Sequence, residues 1–288
     1  LRKPPKPELL QPLLEQCREL AARSARGRPV GERPRYTPER VAHAIAQGEL
    51  LNLYQPKVLT TTGAVVGVET LVRWQHPEDG LVPPALFVGI AEEHGLINAL
   101  TRCVYGTSVR QARAWQAAGL PFKVAVNLSM DTLSEVDSAD LLISEALEAG
   151  AEPSSLVLEV TESRLMLDLA TVLDVLARLH LKRFKLSIDD FGTGHSSLVV
   201  LRDLLFDELK IDAGFVHNAW RNARLASLFN ASLDLARHLD MEAVAEGVET
   251  REDWDFVRAS GCHVAQGFFV AKPMSAGALV RTKSQSSR

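Results

Sequence analysis

Residues 185–197 read KLSIDDFGTGHSS: an apolar run sets down two adjacent carboxylates, Asp189 and Asp190, and then turns through Gly192, Thr193 and Gly194. Aspartates side by side repel one another unless a cation or several donors sit between them, so the segment predicts a positive partner. Polar residues also stand near the end of seven other apolar, β-branched runs: Gln55, Glu69, Asn127, Glu159, Lys210, Glu246 and Gln266. Any one of these carboxylates, taken alone, is better explained as a helix cap or turn residue. Their recurrence at run after run is what points to a site. Apart from Lys210 they offer oxygen, with no paired histidine or cysteine, and such hard donors select Mg²⁺ or Mn²⁺ over zinc. The adjacent aspartates suit two ions about 3.5–4 Å apart, one carboxylate touching both and the other touching one. The glycines let the backbone turn closely beside whatever is bound.

Lys210 amid this acidity admits three readings. It balances carboxylates as a salt bridge; or it positions or deprotonates an attacking water, its pKa set by cations and carboxylates together; or it forms a Schiff base with a carbonyl substrate. The carboxylates around it fit the third reading least. The chain has no G-x-S-x-G, H-E-x-x-H or G-x-x-x-x-G-K-[ST], which removes the common hydrolase, zinc-protease and P-loop readings. Its four tryptophans, Trp74, Trp115, Trp220 and Trp254, show no stacking register and are expected in the core.

The elements that must position these residues alternate along the chain. The runs LLNLYQPKV, VVGVETLVRW, FKVAVNLS, LVLEVTE, KLSIDDF, DELKID, EAVAEGVE and HVAQGFF read as eight strands. Amphipathic segments such as LDLATVLDVLARLH and ASLFNASLDLARHLD have the length of crossover helices. Only LTTTGA separates the first two runs, so one strand near the start is expected to run antiparallel to the rest. The class is α/β, a (β/α)8 TIM-like barrel, whose strand ends converge on one face; an open doubly wound sheet competes, but no G-x-G-x-x-G follows the first strand.

Of the 288 residues, 46% are hydrophobic and 24% charged, and no apolar run approaches the ~20 residues of a membrane span. Cys17, Cys103 and Cys262 are too few and too scattered for a disulfide framework or zinc cluster and suit a reducing cytoplasm. Residues 1–40 carry ten Lys/Arg against five Asp/Glu, leaving 22 against 31 in the remainder. The acidic body argues against DNA binding through a basic face, while metal ions would let it hold a small anion. Seven of the fourteen prolines fall in the first 38 residues, around a helical stretch and then a linker. Residues 1–36 are therefore read as a helix and linker belonging to a longer chain. Thr37 and Pro38 would open the main domain, 37–288, with a helix through Ala46.

From Ala42 to Met274 the sequence resembles the EAL domain, the bacterial phosphodiesterase module that linearises cyclic di-GMP. The resemblance rests on YQPKV (54–58), ETL (69–71) within VGVETLVRWQHP, NLS (127–129), EVTES (159–163), DDFGTG (189–194), LKID (209–212), AEGVET (245–250) and QGF (266–268). It implies a (β/α)8 barrel and two ions, Mg²⁺ or Mn²⁺. Glu69, Asn127, Glu159 and Asp189 would hold one ion; Asp189, Asp190 and Glu246 would serve the second. Lys210 takes the place of the lysine that orients or activates the attacking water. Gln55, Leu71, Arg73, Asp212 and Gln266 lie where the family contacts substrate, and Arg73 offers a planar fork suited to phosphate. Glu249 completes the pocket, and Glu162 matches the glutamate that steadies the DDFGTG loop. The implied reaction is in-line cleavage of cyclic di-GMP to linear pGpG.

Departures are mild: Thr70 stands for alanine, His195 for an aromatic residue, Pro83 for serine and Leu205 for proline. Because every ligand position is kept, an active enzyme is expected rather than a cyclic di-GMP receptor that signals to a partner without cleaving it. The resemblance also implies a homodimer. LRKPPKPELLQPLLEQ resembles the end of a receiver domain, which would make a receiver or other sensory domain the upstream partner.

Overall fold

The computed structural model describes residues 36–161, 169–192 and 206–286. The chain divides into two units, Leu1–Thr37 and Pro38–Arg288, and the second carries the fold described below. The expected N-terminal helix, Cys17, Glu162, His195 and Leu205 lie outside the described residues.

Helix α1 (Pro38–Ala46) starts with the proline whose missing N–H costs nothing there and buries Val41 and Ala44. Strands β1 (Leu50–Leu59) and β2 (Val65–His76) follow as a hairpin, extended at one end by a short β3 (Gly80–Val82). The remaining strands are β4 (Lys123–Asn127), β5 (Leu156–Thr161), β6 (Lys185–Phe191), β7 (Glu208–Ile211), β8 (Glu242–Ala245) and β9 (Val264–Ala265). Between them run α2 (Val88–Glu93), α3 (Ile97–Ala117), α4 (Met130–Leu133), α5 (Ser138–Glu148), α6 (Leu169–Leu181), α7 (Ala213–Val216), α8 (Ala223–His238) and α9 (Arg251–Ala259), with α10 (Ala276–Ser286) last.

The strand order β1-β9-β8-β7-β6-β5-β4-β2 closes on itself through the β1–β2 pair, giving the expected eight-stranded barrel, with β3 attached to β2. Strand β1 is antiparallel to both its neighbours, and every barrel pair from β2 round to β9 is parallel. The tight connection after β1 explains this: Gly63 turns at φ 72° and its N–H donates to Leu59 O at 2.8 Å. So short a link cannot form the crossover that a parallel neighbour requires. Strand β3 went unpredicted because its surroundings, QHPEDGLVPP, are rich in turn and breaker residues.

Helices cover the outside. Ile97, Leu100, Val104, Ala112 and Trp115 recur at helical spacing on α3 and are buried where it packs on β1 and β4. The tryptophan expectation holds for Trp74 and Trp115, which are buried, but not for Trp220, which is 48% exposed with Arg221 stacked on its ring. Thr70, on the outer face of β2, takes a hydrogen bond from Ser108 of α3 at 3.3 Å, so the departure from alanine satisfies its hydroxyl. Among the described residues no helix is long and apolar enough to cross a membrane.

Gly192, just past β6, has φ 94°, and a Cβ there would lie 2.2 Å from the Phe215 ring of α7. Gly192→Ala is expected to destabilise the fold by about 1–3 kcal/mol, read as a lower urea midpoint. An unchanged midpoint would mean that Phe215 moves aside freely.

Candidate active site

Because side chains alternate along a strand, residues two apart on a barrel strand share the interior. Glu69 on β2 is paired in register with Gln55 on β1 and Ala125 on β4; Asn127 pairs with Glu159, and Thr161 with Asp189. Glu69 is the last residue of β2 paired with β4; beyond it β2 stays paired with β1 as far as Trp74 and takes up β3 from Trp74 onward. Gln55 and Glu69 thus stand mid-strand, not at strand ends, yet reach the mouth because β2 parts from β4 at Glu69. Glu246 and Gln266 follow β8 and β9 directly.

Lys210 stands at the centre, 1% exposed. Its Nζ lies 2.7 Å from Glu246 Oε1, 3.0 Å from Asp189 Oδ1, 3.2 Å from Glu159 Oε2 and 3.7 Å from Glu69 Oε1. Asn127 Nδ2 donates to Glu159 Oε2 at 3.2 Å and to Glu69 Oε1 at 3.3 Å. Gln266 Nε2 donates to Gln55 Oε1 at 3.2 Å and to Glu69 Oε2, while Gln55 Nε2 donates to Ala271 O at 3.1 Å. Among the described residues, the buried Oε1 of Gln266 has no donor.

The carboxylates are strained electrically. Burial pushes Glu69 up, Glu159 and Asp189 add to it, and Lys210 opposes. Burial also drives Glu246 up to about 8, with Asp189 and Glu69 contributing against Lys210. Asp190, raised by burial and then by Asp189 and Asp212, sits in the left-handed region at φ 55°. Burial would raise Glu159 too, but Lys210 and Lys57 outweigh it and hold it below its usual value. Burial works against the charge of Lys210, and Glu159, Glu246, Glu69 and Asp189 together hold it well above its ordinary value.

This donor set fits divalent ions. Glu69, Glu159 and Asp189 offer one oxygen each within 4.8 Å of one another, and so do Asp189, Asp190 and Glu246. The two groups share Asp189, the bridging arrangement expected of the adjacent pair. Hard oxygen donors with excess negative charge are what Mg²⁺ or Mn²⁺ takes.

The other expected residues divide. Glu249 is exposed and, with Gln55, Gln266 and Phe268, lines a 290 Å³ cleft over Lys210. Leu71 instead lines a mostly apolar 330 Å³ cavity beside the mouth, shared with Asn127, Leu128 and Met130. Arg73 is half-buried and its Nη1 donates to Val72 O at 2.8 Å; burial lowers its pKa, with Glu69 opposing. Asp212 caps α7, accepting from Gly214 N at 2.8 Å.

Three residues were missed. Lys57 Nζ lies 2.7 Å from Glu208 Oε1 and 2.9 Å from Glu159 Oε1, and Ser187 Oγ donates to the same Glu208 oxygen at 2.8 Å. The signal was period two: Lys57 stands two residues past Gln55, Ser187 two before Asp189 and Glu208 two before Lys210.

Comparison with known proteins follows the same lines. The EAL domain family model matches residues 39–273. The bifunctional diguanylate cyclase/cyclic di-GMP phosphodiesterase MucR of Pseudomonas aeruginosa is 40% identical over 238 residues, 82% of this chain and 35% of MucR. Cyclic di-GMP phosphodiesterase PdeR of Escherichia coli is 37% identical over 83% of this chain and 36% of its own length. The chain thus spans about a third of these relatives. A solved structure of the MucR phosphodiesterase in complex with c-di-GMP superposes with a TM-score of 0.80 at 40% identity, covering 84% of this chain and 98% of that one. The EAL enzyme Bd1971, in its cAMP and cyclic-di-GMP bound form, gives 0.82 at 25% identity over 96% and 76%.

Glu69, Asp190 and Glu246 keep their protons to higher pH in the metal-free fold than in the unfolded chain. Their contribution to stability is complete below their ordinary values, 4.5 for the glutamates and 3.8 for Asp190, and lost as pH rises through the folded values, about 8 for Glu246. The unfolding temperature of EDTA-treated protein should therefore fall between pH 6 and 9, and the rise on adding Mn²⁺ should grow over that range. A metal-induced rise independent of pH would remove Glu246 from the ligand set.

Proposed function

The chain belongs to the EAL domain family, and on that premise we propose that it is a metal-dependent phosphodiesterase that hydrolyses cyclic di-GMP to linear pGpG. The observation that carries this reading is the pair of oxygen clusters sharing Asp189 around Lys210. Similarity to phosphodiesterases such as PdeR supports the activity, and the c-di-GMP complex of the MucR domain supports the substrate. Residues 37–288 would form the catalytic domain and residues 1–36 an N-terminal helix and linker.

Glu69, Asn127, Glu159 and Asp189 would hold one divalent ion, and Asp189, Asp190 and Glu246 the other. When bound, the ions supply neutralisation of the phosphodiester and of the charge that develops as it is cleaved. The protein does the rest. Lys210, kept protonated by four carboxylates, presents N–H donors at the centre of the mouth, where they hold an attacking water and offset negative charge at the reacting centre. Water adds across one phosphodiester, its oxygen to phosphorus and a proton to the departing ribose oxygen. Gln266 and Gln55 turn amide groups toward the cleft, and Glu249 stands at its edge. Glu249 and, by family position, Glu162 would support catalysis; Leu71, Arg73 and Asp212 would contact substrate.

Incubation with cyclic di-GMP and Mg²⁺ or Mn²⁺ should yield pGpG, resolved by chromatography, and EDTA should abolish it. Bound but uncleaved ligand would make the chain a receptor. Lys210→Ala should lower kcat by about 10²- to 10⁴-fold while cyclic di-GMP binding, followed by calorimetry with Ca²⁺ present, remains. Unaltered turnover would remove the role given to Lys210.

A further inference from the structure

Below the mouth lies a second polar layer, which the reaction as described does not use. Lys57 is 4% exposed and belongs to β1, yet its ammonium contacts Glu159 on β5 and Glu208 on β7. Neither strand neighbours β1 in the barrel, so the side chain crosses the interior. Gly67 is paired with Lys57 across the hairpin, and Ala125 stands two residues before Asn127 on β4.

The consequence falls on Glu159, which is 0% exposed. Its Oε1 is taken by Lys57 at 2.9 Å, while its Oε2 meets Asn127 and Lys210, each at 3.2 Å, on the side of the oxygen cluster. Each oxygen is thus assigned a direction. A lysine paired with Glu159 alone would also neutralise it and weaken its hold on a cation. Glu208 prevents that: at 2.7 Å it balances Lys57, with Ser187 donating to the same oxygen at 2.8 Å, and leaves the charge of Glu159 for the mouth.

We propose that Lys57 and Glu208 act as a positioning pair that reserves one oxygen of Glu159 for the protein and makes the other a one-oxygen metal ligand. The inference rests on the two-metal reading above. Its chemical consequence is selectivity. Mg²⁺ demands near-octahedral geometry with short single-oxygen contacts, whereas Ca²⁺ takes more ligands and readily accepts both oxygens of a carboxylate. A Glu159 free to present both oxygens would narrow the preference against Ca²⁺.

The test measures Mn²⁺ binding by the loss of the free-ion EPR signal, with Ca²⁺ as competitor, on the whole chain and three variants. Lys57→Met removes the ammonium. Lys57→Met/Glu208→Met removes the pair together, which commonly leaves stability unchanged or raised. Glu208→Gln keeps the shape and leaves Lys57 to draw on Glu159 alone. Each folded variant should bind Mn²⁺ about 10- to 100-fold more weakly, the range typical for groups that hold metal ligands in place. The two variants lacking Lys57 should also compete better with Ca²⁺ relative to Mn²⁺. Parent-like Mn²⁺ affinity and Ca²⁺ competition in any folded variant lacking Lys57, or parent-like Mn²⁺ affinity in Glu208→Gln, would overturn the proposal. Failure of the parent chain to bind Mn²⁺ would overturn the two-metal reading itself.

Discussion

An ionised carboxylate taken out of water without a partner costs several kcal/mol, and this barrel brings Glu69, Glu159, Asp189 and Glu246 to within 3.7 Å of one ammonium. Lys210 is the counter-charge that lets the mouth close. Four strands deliver those carboxylates, so the lysine couples their positions as well as their charges. Even so it does not satisfy them all: Glu69, Asp190 and Glu246 remain above their ordinary values. A bound cation would offset that residual deficit of positive charge.

The barrel accommodates this by giving up an all-apolar interior. Val157 and Val244 are buried on β5 and β8, but Lys57, Ser187 and Glu208 occupy interior positions of their own strands. The arrangement is economical in charge, since Lys57 is matched by Glu208 and Lys210 by the mouth. It is also directional: Asn127 and Lys210 meet Glu159 from one side and Lys57 from the other. Hydrogen-bonded polar layers of this kind are rigid because losing any member leaves another buried group unpaired.

The mouth is joined to the surrounding helices on its other side. Asn127 belongs both to the oxygen cluster and to the apolar cavity that holds Leu71, while Ser129 caps α4 by accepting from Thr132 N at 3.2 Å. Asn52 donates to Ser108 at 3.0 Å, and Ser108 to Thr70, tying the outer faces of β1 and β2 to α3. Glu69 lies next to Thr70, so the helix layer fixes the strand that presents it. Across the barrel, Gly192 admits Phe215 beside the adjacent aspartates, and Gly247 turns at φ 60° against Ala213.

What the sequence determined by itself was the alternation of strands and helices, the eight strand runs and the oxygen-rich set Glu69, Asn127, Glu159, Asp189, Asp190, Glu246 and Gln266 around Lys210. These were legible because period-two apolar runs and the residues just after them are local features. The antiparallel β1 was legible for the same reason, through its short turn. Tertiary structure alone decided which charges face one another. Lys57 reaches β5 and β7 across the barrel, Leu71 faces an apolar cavity, and Asp212 caps the helix that follows it. Trp220 is exposed although its type suggested the core. Such outcomes depend on barrel closure and strand register, which set distances between residues more than 100 positions apart in the chain, such as Lys57 and Glu159. No local pattern encodes a contact whose partner is chosen by how the sheet closes.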